Sequence, residues 1–145
     1  MGIVKKKIFL KTFLELMSKK IVEMETILKE NLGEYSIPER VLTRFCLDEG
    51  GILGKAACHT NTIYLDQYLI ERYKEYYLKH TFVHEYAHLV VNTIYPGHIK
   101  DGVLISDHGI EFRKICQMFG IYGDACSDLE YLSSFPLEQR LVPHS

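Results

Sequence analysis

The chain has 145 residues, of which 47% are hydrophobic and 25% charged, a size and composition suited to one globular domain with one core. Its formal net charge of -2 and its pI near 6.4 give no global attraction to nucleic acid. The first twenty residues are locally basic, which is typical of a solvated helix face: Lys5, Lys6, Lys7, Lys11, Lys19 and Lys20. We predict a single domain over residues 1–145, with a core at 8–120 and an irregular tail at 121–145.

Targeting signals and cysteine usage indicate the compartment. No stretch reaches the ~18 apolar residues of a membrane span, and the N-terminus lacks the apolar core and cleavage site of a signal peptide. We therefore expect a cytoplasmic monomer without a membrane partner. None of the cysteines is paired at the two-residue spacing of a zinc ribbon or redox motif, so we interpret all four as reduced, buried thiols: Cys46, Cys58, Cys116 and Cys126.

The first predicted element is a helix from Ile8 to Leu32, closed by Gly33. Its apolar residues recur three or four positions apart and so share one stripe of the helix: Phe9, Phe13, Met17, Ile21, Met24 and Leu28.

Three short strands are predicted next. Val41 to Asp48 is rich in β-branched and aromatic residues and is followed by the turn sequence Glu49-Gly50-Gly51. Lys55 to His59 and Asn61 to Leu65 are separated by a polar break, as expected for neighbouring strands of a small antiparallel sheet. Asp66 is well placed as the N-cap of the following helix.

The rest of the chain is predicted to be helical around one loop. Gln67 to Ile94 contains no Gly or Pro, which indicates one long helix or two joined by a kink, ended by Pro96-Gly97. Tyr95 to Asp107 is interpreted as a loop. Ile110 to Phe119 has helical apolar spacing, and Gly120 ends that helix.

The chemically informative segment is His84-Glu85-Tyr86-Ala87-His88, inside the predicted helix. Residues four apart on a helix point the same way, so the two imidazoles can converge on one metal ion. Glu85 can then face a water bound to that metal without being a ligand. A zinc ion lowers the pKa of such a water to about 7, and the carboxylate can carry its proton to a leaving amine. This pattern favours peptide hydrolysis.

Catalytic zinc normally has three protein ligands, so a third must come from elsewhere in the chain. His80 precedes His84 by four residues, but three consecutive turns of a straight helix spread over about 11 Å, and we reject it. His98 follows the Pro-Gly turn and could fold back. We prefer His108, which begins the next predicted helix, because a regular element holds a ligand more precisely than a loop does.

Two motifs together resemble those of the SprT-like metallopeptidases, the group that includes Spartan. They are His84-Glu85-Tyr86-Ala87-His88 and, after a loop, His108-Gly109-Ile110-Glu111-Phe112. Residues 63–69 are similar to the strand and helix start that precede the zinc helix in that family, and the resemblance runs from about Lys55 to Phe119. It implies an α+β, zincin-like (minigluzincin) fold, with a small sheet on an N-terminal helix, the HExxH helix and a third-ligand helix. It also implies Zn2+ held by His84, His88 and His108, with Glu85 as general base.

The resemblance carries expectations about substrates. Family members act on DNA–protein crosslinks, but this chain lacks their Cys-rich zinc ribbon and basic tail, so DNA association would depend on the N-terminal lysines or on another protein. We expect hydrolysis of unfolded, flexible or DNA-associated proteins, aligned on Thr62 to Leu65 as the edge strand above the cleft. The alternatives are a zinc-stabilised, non-catalytic binding scaffold and a nucleic-acid binder with an accidental HExxH.

Overall fold

The computed structural model describes residues 3–46 and 54–121. The predicted turn at Glu49-Gly50-Gly51, the tail after residue 121 and Cys126 lie outside the described residues. The side chains of residues 3–9, 68, 69 and Cys46 also lie outside them, so the prediction for the Cys46 thiol is untested. The helices are α1 (Ile3–Asn31), α2 (Gln67–Arg72), α3 (Lys74–Tyr76), α4 (Phe82–Ile94) and α5 (Ile110–Met118), and the strands are β1 (Leu42–Cys46), β2 (Gly54–Ala57), β3 (Thr62–Asp66), β4 (Ile99–Lys100) and β5 (Val103–Leu104).

Strands β1, β2 and β3 form one sheet in the order β1-β3-β2. Strand β2 is antiparallel to β3, as predicted, whereas β1 is parallel to β3, with Leu42 opposite Thr62. The prediction of a wholly antiparallel sheet was therefore wrong. The prediction of Thr62 to Leu65 as the edge strand was also wrong, because β3 lies between the other two strands. Ile63 and Leu65 are fully buried, as a central strand requires.

The predicted N-terminal helix is confirmed as α1, and its apolar stripe faces the hydrophobic core. Four of its predicted stripe residues are buried and a fifth is partly buried: Phe13, Met17, Met24 and Leu28, with Ile21 at the margin. Gly33 follows the helix with a φ of 127°, a conformation that favours glycine. None of the helices in the two described ranges is long and apolar enough to span a membrane.

The segment from Gln67 to Ile94 is helical with one break, which agrees with the predicted alternative of two helices joined by a kink. Tyr73 leaves the helical conformation at φ -128° and ψ 43°, which locates the kink between α2 and α3. A π-helical turn at Tyr77–Thr81 then leads into α4. Such turns are found frequently at functional sites, because the extra residue rotates the following helix relative to the preceding one. Helix α4 ends before Pro96, as predicted.

The segment predicted as a loop contains a two-stranded hairpin. Strands β4 and β5 pair antiparallel around Asp101 and Gly102, whose φ angles of 51° and 79° are those of a tight hairpin turn. Lys100 ties the hairpin to α5 through an ion pair with Glu111, with 3.5 Å between Nζ and Oε2. Helix α5 ends near Gly120, as predicted, and Gly120 has a φ of 81°.

Candidate metal centre

Helix α4 supplies two of the predicted ligand residues. It is buried along most of its length, and nine of its thirteen residues are buried. His84 is 7% exposed, while His88, one turn later, is half-buried. Their ring centroids are 5.1 Å apart, as expected for imidazoles on one helix face.

His108 joins these two rings from the segment after the hairpin. Its ring centroid lies 5.4 Å from that of His84 and 4.8 Å from that of His88. One ligand atom from each of the three residues can be chosen so that all lie within 4.8 Å of one another. His108 does not begin α5 as predicted, because it lies in a turn two residues before the helix.

Hydrogen bonds fix the backbone on both sides of His108. The Arg113 side chain donates from Nε to the carbonyl oxygen of His108 at 3.1 Å. The backbone N–H of Gly109 donates to the carbonyl oxygen of Ser106 at 3.2 Å, and that of Arg113 donates to Gly109 at 3.0 Å. These bonds give the turn a definite position relative to α5, so a residue outside a regular element is still held in place.

Phe112 forms a wall behind all three imidazoles and is fully buried. Its ring stacks on His88 at a centroid distance of 4.2 Å and an interplanar angle of 19°. It meets His84 and His108 nearly edge-on, with centroids 5.0 Å away in both cases. One apolar ring therefore restricts the orientation of the three candidate ligands. Phe112 was quoted in the second motif, but its function as a wall was not predicted.

The protonation state of His88 suits a cation. Burial, followed by charge repulsion from the neighbouring His84, His108 and His98, lowers the pKa of His88 to about 3. His88 is therefore a neutral imidazole at pH 7, with a nitrogen lone pair available for coordination. Three imidazole nitrogens form a donor set that fits Zn2+ and other borderline divalent ions.

Glu85 lies beside the cluster with its Oε2 atom 3.9 Å from Nε2 of His84, and it is 7% exposed. Strand β2 passes close to its side chain. A Cβ atom added to Gly54 would lie 3.2 Å from Cγ of Glu85 and 2.9 Å from Cγ2 of Thr81. The close approach of β2 to the side chains of Thr81 and Glu85 therefore requires glycine at the start of this strand. No sequence signal pointed to Gly54, since the contact joins segments about thirty residues apart.

The remaining histidine candidates lie outside the cluster. His80, in the π-helical turn, stacks on Tyr76 with ring centroids 4.9 Å apart, which agrees with its rejection as a ligand. His98 approaches Asp107, with 3.7 Å between Nε2 and Oδ1. Within residues 3–46 and 54–121, neither joins the group of potential ligands formed by His84, His88 and His108.

Two cysteines bear on the prediction of reduced thiols. Cys58 and Cys116 are free, and Cys116 is buried. The Cys58 thiol donates to the carbonyl oxygen of His88 at 3.7 Å. Its pKa is raised, first by burial and then by the charges of Asp107 and Glu85, so Cys58 stays protonated near neutral pH.

The chain is a mixed α+β domain in which three imidazoles lie together beside a buried carboxylate. This arrangement is compatible with metal binding. The comparison with protein families is specific. The model of the SprT-like family matches residues 12–129, most of the chain, and the chain belongs to the SprT-like family. The resemblance found in the two motifs is thereby confirmed. No curated protein and no solved structure matches the chain.

Proposed function

We propose that this chain is a zinc-dependent metallopeptidase with a zincin-like catalytic domain. The observation that carries the proposal is the convergence of His84, His88 and His108 within 4.8 Å beside the buried carboxylate of Glu85. Membership of the SprT-like family supports the same reaction class. A metal site that serves structure alone has no need of a carboxylate placed next to, but outside, its ligand set.

In this proposal the ring nitrogens of His84, His88 and His108 would hold a zinc ion. When bound, the ion would supply Lewis acidity, which would lower the pKa of a nearby water to about 7 and polarise the scissile carbonyl. Phe112 keeps the rings in place, and the neutral state of His88 removes the need to displace a proton from its ring.

Glu85 acts as the general base. Its carboxylate accepts a proton from the attacking water and then donates that proton to the nitrogen of the leaving amine. Its Oε2 atom lies 3.9 Å from Nε2 of His84, so the carboxylate stands beside the three candidate ligands. Because Glu85 is 7% exposed, little solvent surrounds its carboxylate, and this strengthens its electrostatic effect on the transition state.

The free edge of β2 is the proposed platform for the substrate. In the described part of the sheet β2 is an edge strand, and it packs against α4 with Gly54 touching Glu85. An extended peptide added to this edge would lie beside the general base. Backbone pairing reads shape rather than side chains, so we infer broad specificity for unfolded or flexible proteins. DNA-associated proteins are included if the N-terminal lysines attract DNA.

The general base is tested by Glu85→Gln, which keeps the shape of the side chain but cannot accept a proton. We expect the variant to bind one equivalent of zinc, measured by elemental analysis, and to lose cleavage of a denatured casein substrate. Glu75→Gln is a matched control, because that carboxylate is exposed, pairs with Lys79 and is not part of the group formed by the three histidines, so the variant should leave the rate unchanged. Undiminished cleavage by Glu85→Gln would rule out the proposed base.

The ligands are tested by zinc analysis of His84→Ala, His88→Ala and His108→Ala beside His98→Ala. We expect the first three to lose zinc and His98→Ala to retain it. Loss in His98→Ala with retention in His108→Ala would assign the third ligand to His98 instead. If the wild type bound stoichiometric zinc but hydrolysed no unfolded substrate, the proposal of a peptidase would be rejected in favour of a zinc-stabilised binding scaffold.

A further inference from the structure

Three residues from three elements, Gly54, Thr81 and Glu85, lie close together beside the candidate metal centre. Thr81 ends the π-helical turn, and Glu85 follows it by four residues, so both side chains lie on the same side of the helix. Gly54, the first residue of β2, lies against both of them: a Cβ atom at this position would meet Cγ2 of Thr81 at 2.9 Å and Cγ and Cδ of Glu85 at 3.2 and 3.5 Å. The start of β2 thus lies close to both the threonine methyl and the aliphatic stem of Glu85.

The Thr81 side chain is fully buried, and its hydroxyl oxygen has no hydrogen-bond partner within the described ranges. The contribution of this side chain that the structure does show is its shape. Its methyl carbon Cγ2 lies against the start of β2, 2.9 Å from the position of a Cβ atom at Gly54, and the stem of Glu85 lies against the same position.

We propose that Gly54 and Thr81 are positioning residues that clamp the stem of Glu85 and aim its carboxylate at the site of reaction. The inference rests on the proposed function, since it concerns the general base of that same site. A glutamate has three rotatable side-chain bonds, and only some rotamers bring the carboxylate to a water beside the three histidines. The strand backbone at Gly54 lies against the stem and excludes some of these rotamers, and the Thr81 methyl packs against the same point of the strand. The carboxylate is therefore aimed before substrate arrives.

The clamp predicts a specific pattern of compensation. Gly54→Ala places a methyl group 2.9 Å from Cγ2 of Thr81, while Thr81→Ser removes that Cγ2 atom. We expect the double variant, Gly54→Ala with Thr81→Ser, to relieve most of the collision. Misplacement of a catalytic group by about 1 Å lowers the rate by on the order of 100-fold, so we expect kcat to fall about 10- to 100-fold in Gly54→Ala with little change in KM. The double variant should regain about tenfold.

The coupling between the two positions can also be measured without an activity assay. Thermal unfolding is followed for the metal-free wild type, Gly54→Ala, Thr81→Ser and the double variant. We expect Gly54→Ala to lower the midpoint and the addition of Thr81→Ser to raise it again. Gly120→Ala is the control, because it strains the backbone at a φ of 81° with nothing within 4 Å of the new Cβ. It should lower the midpoint while leaving kcat and zinc content unchanged.

Several results would overturn the inference. Additive effects in the unfolding cycle would mean that the Gly54 and Thr81 contact is not the obstacle, as would failure of both Gly54→Ala and the double variant to fold. Wild-type kcat in a folded Gly54→Ala variant would show that the carboxylate needs no clamp. If the wild type were inactive but the two substitutions were non-additive in thermal unfolding, as expected, the proposed function would be refuted instead, and with it the catalytic role of the contact.

Discussion

The aromatic wall at Phe112 offers a direct test of how the three histidines are held. The ring is fully buried and contacts each imidazole, at centroid distances of 4.2, 5.0 and 5.0 Å. Phe112→Ala would cost about 3–5 kcal/mol through the cavity it leaves, a large share of the 5–15 kcal/mol that stabilises a typical domain. Phe112→Leu is the better perturbation, because it keeps the site apolar and filled while removing the ring.

The magnitude follows from the number of ring contacts. A pair of aromatic rings contributes about 0.5–1.5 kcal/mol beyond its buried area, so losing three such pairs costs about 1.5–4.5 kcal/mol. The imidazoles also lose the surface that restricts their rotation. Groups that orient metal ligands typically change metal affinity by 10- to 100-fold, and we expect Phe112→Leu to weaken zinc binding by about that factor.

The assay is zinc competition against a chelator, combined with urea unfolding of the metal-free protein. Phe82→Leu is the matched control, since Phe82 is equally buried in the core and has no ring contact with the three histidines within the described residues. Both variants should lose stability, but only Phe112→Leu should lose zinc affinity. Equal zinc affinity in the two variants would refute the reasoning that the ring orients the ligands.

Two further predictions concern the pH dependence and the hairpin. The pKa of His88 is lowered from 6.5 to about 3 in the folded chain, so the unfolded chain takes up a proton first, and the metal-free protein should lose stability as the pH falls from 6.5 toward 3. Urea unfolding from pH 7 to pH 4 should show a shallower dependence for His88→Gln than for the wild type, and parallel curves would contradict the assignment. Gly102→Ala should lower the free energy of unfolding by about 1 kcal/mol, because the φ of 79° disfavours any residue with a Cβ atom. An unchanged urea midpoint would show that the turn is not strained by the substitution.

Local sequence patterns predicted the parts of the fold that depend on local physics. The stripe of α1 and the stop at Gly33 follow from helical periodicity and glycine conformation, and both are observed. The proximity of His84 and His88 likewise follows from the geometry of a single helix. The hairpin was missed even though Asp101-Gly102 is a strong turn signal, because its strands are two residues long and carry exposed apolar side chains.

Other features depend on contacts between distant segments and left no local trace. The parallel pairing of β1 with β3 joins residues twenty apart, and alternation of side chains along a strand does not reveal which neighbour it will have. The interruption at Tyr73 and the π-helical turn are imposed by packing rather than by Gly or Pro. Gly54 is necessary because β2 passes close to α4, and this contact exists only in the folded chain.

The positions of the three histidines along the chain imply that a bound ion would also stabilise the fold. His84 and His88 belong to one rigid helix, while His108 comes from a turn twenty residues later, beyond the hairpin. An ion held by all three would close that loop as a covalent bridge does, and bridges around loops of this length contribute about 3 kcal/mol. Occupancy would then govern the resistance of this segment to heat and proteolysis, so that metal supply in the cell would set the lifetime of the protein as well as its rate.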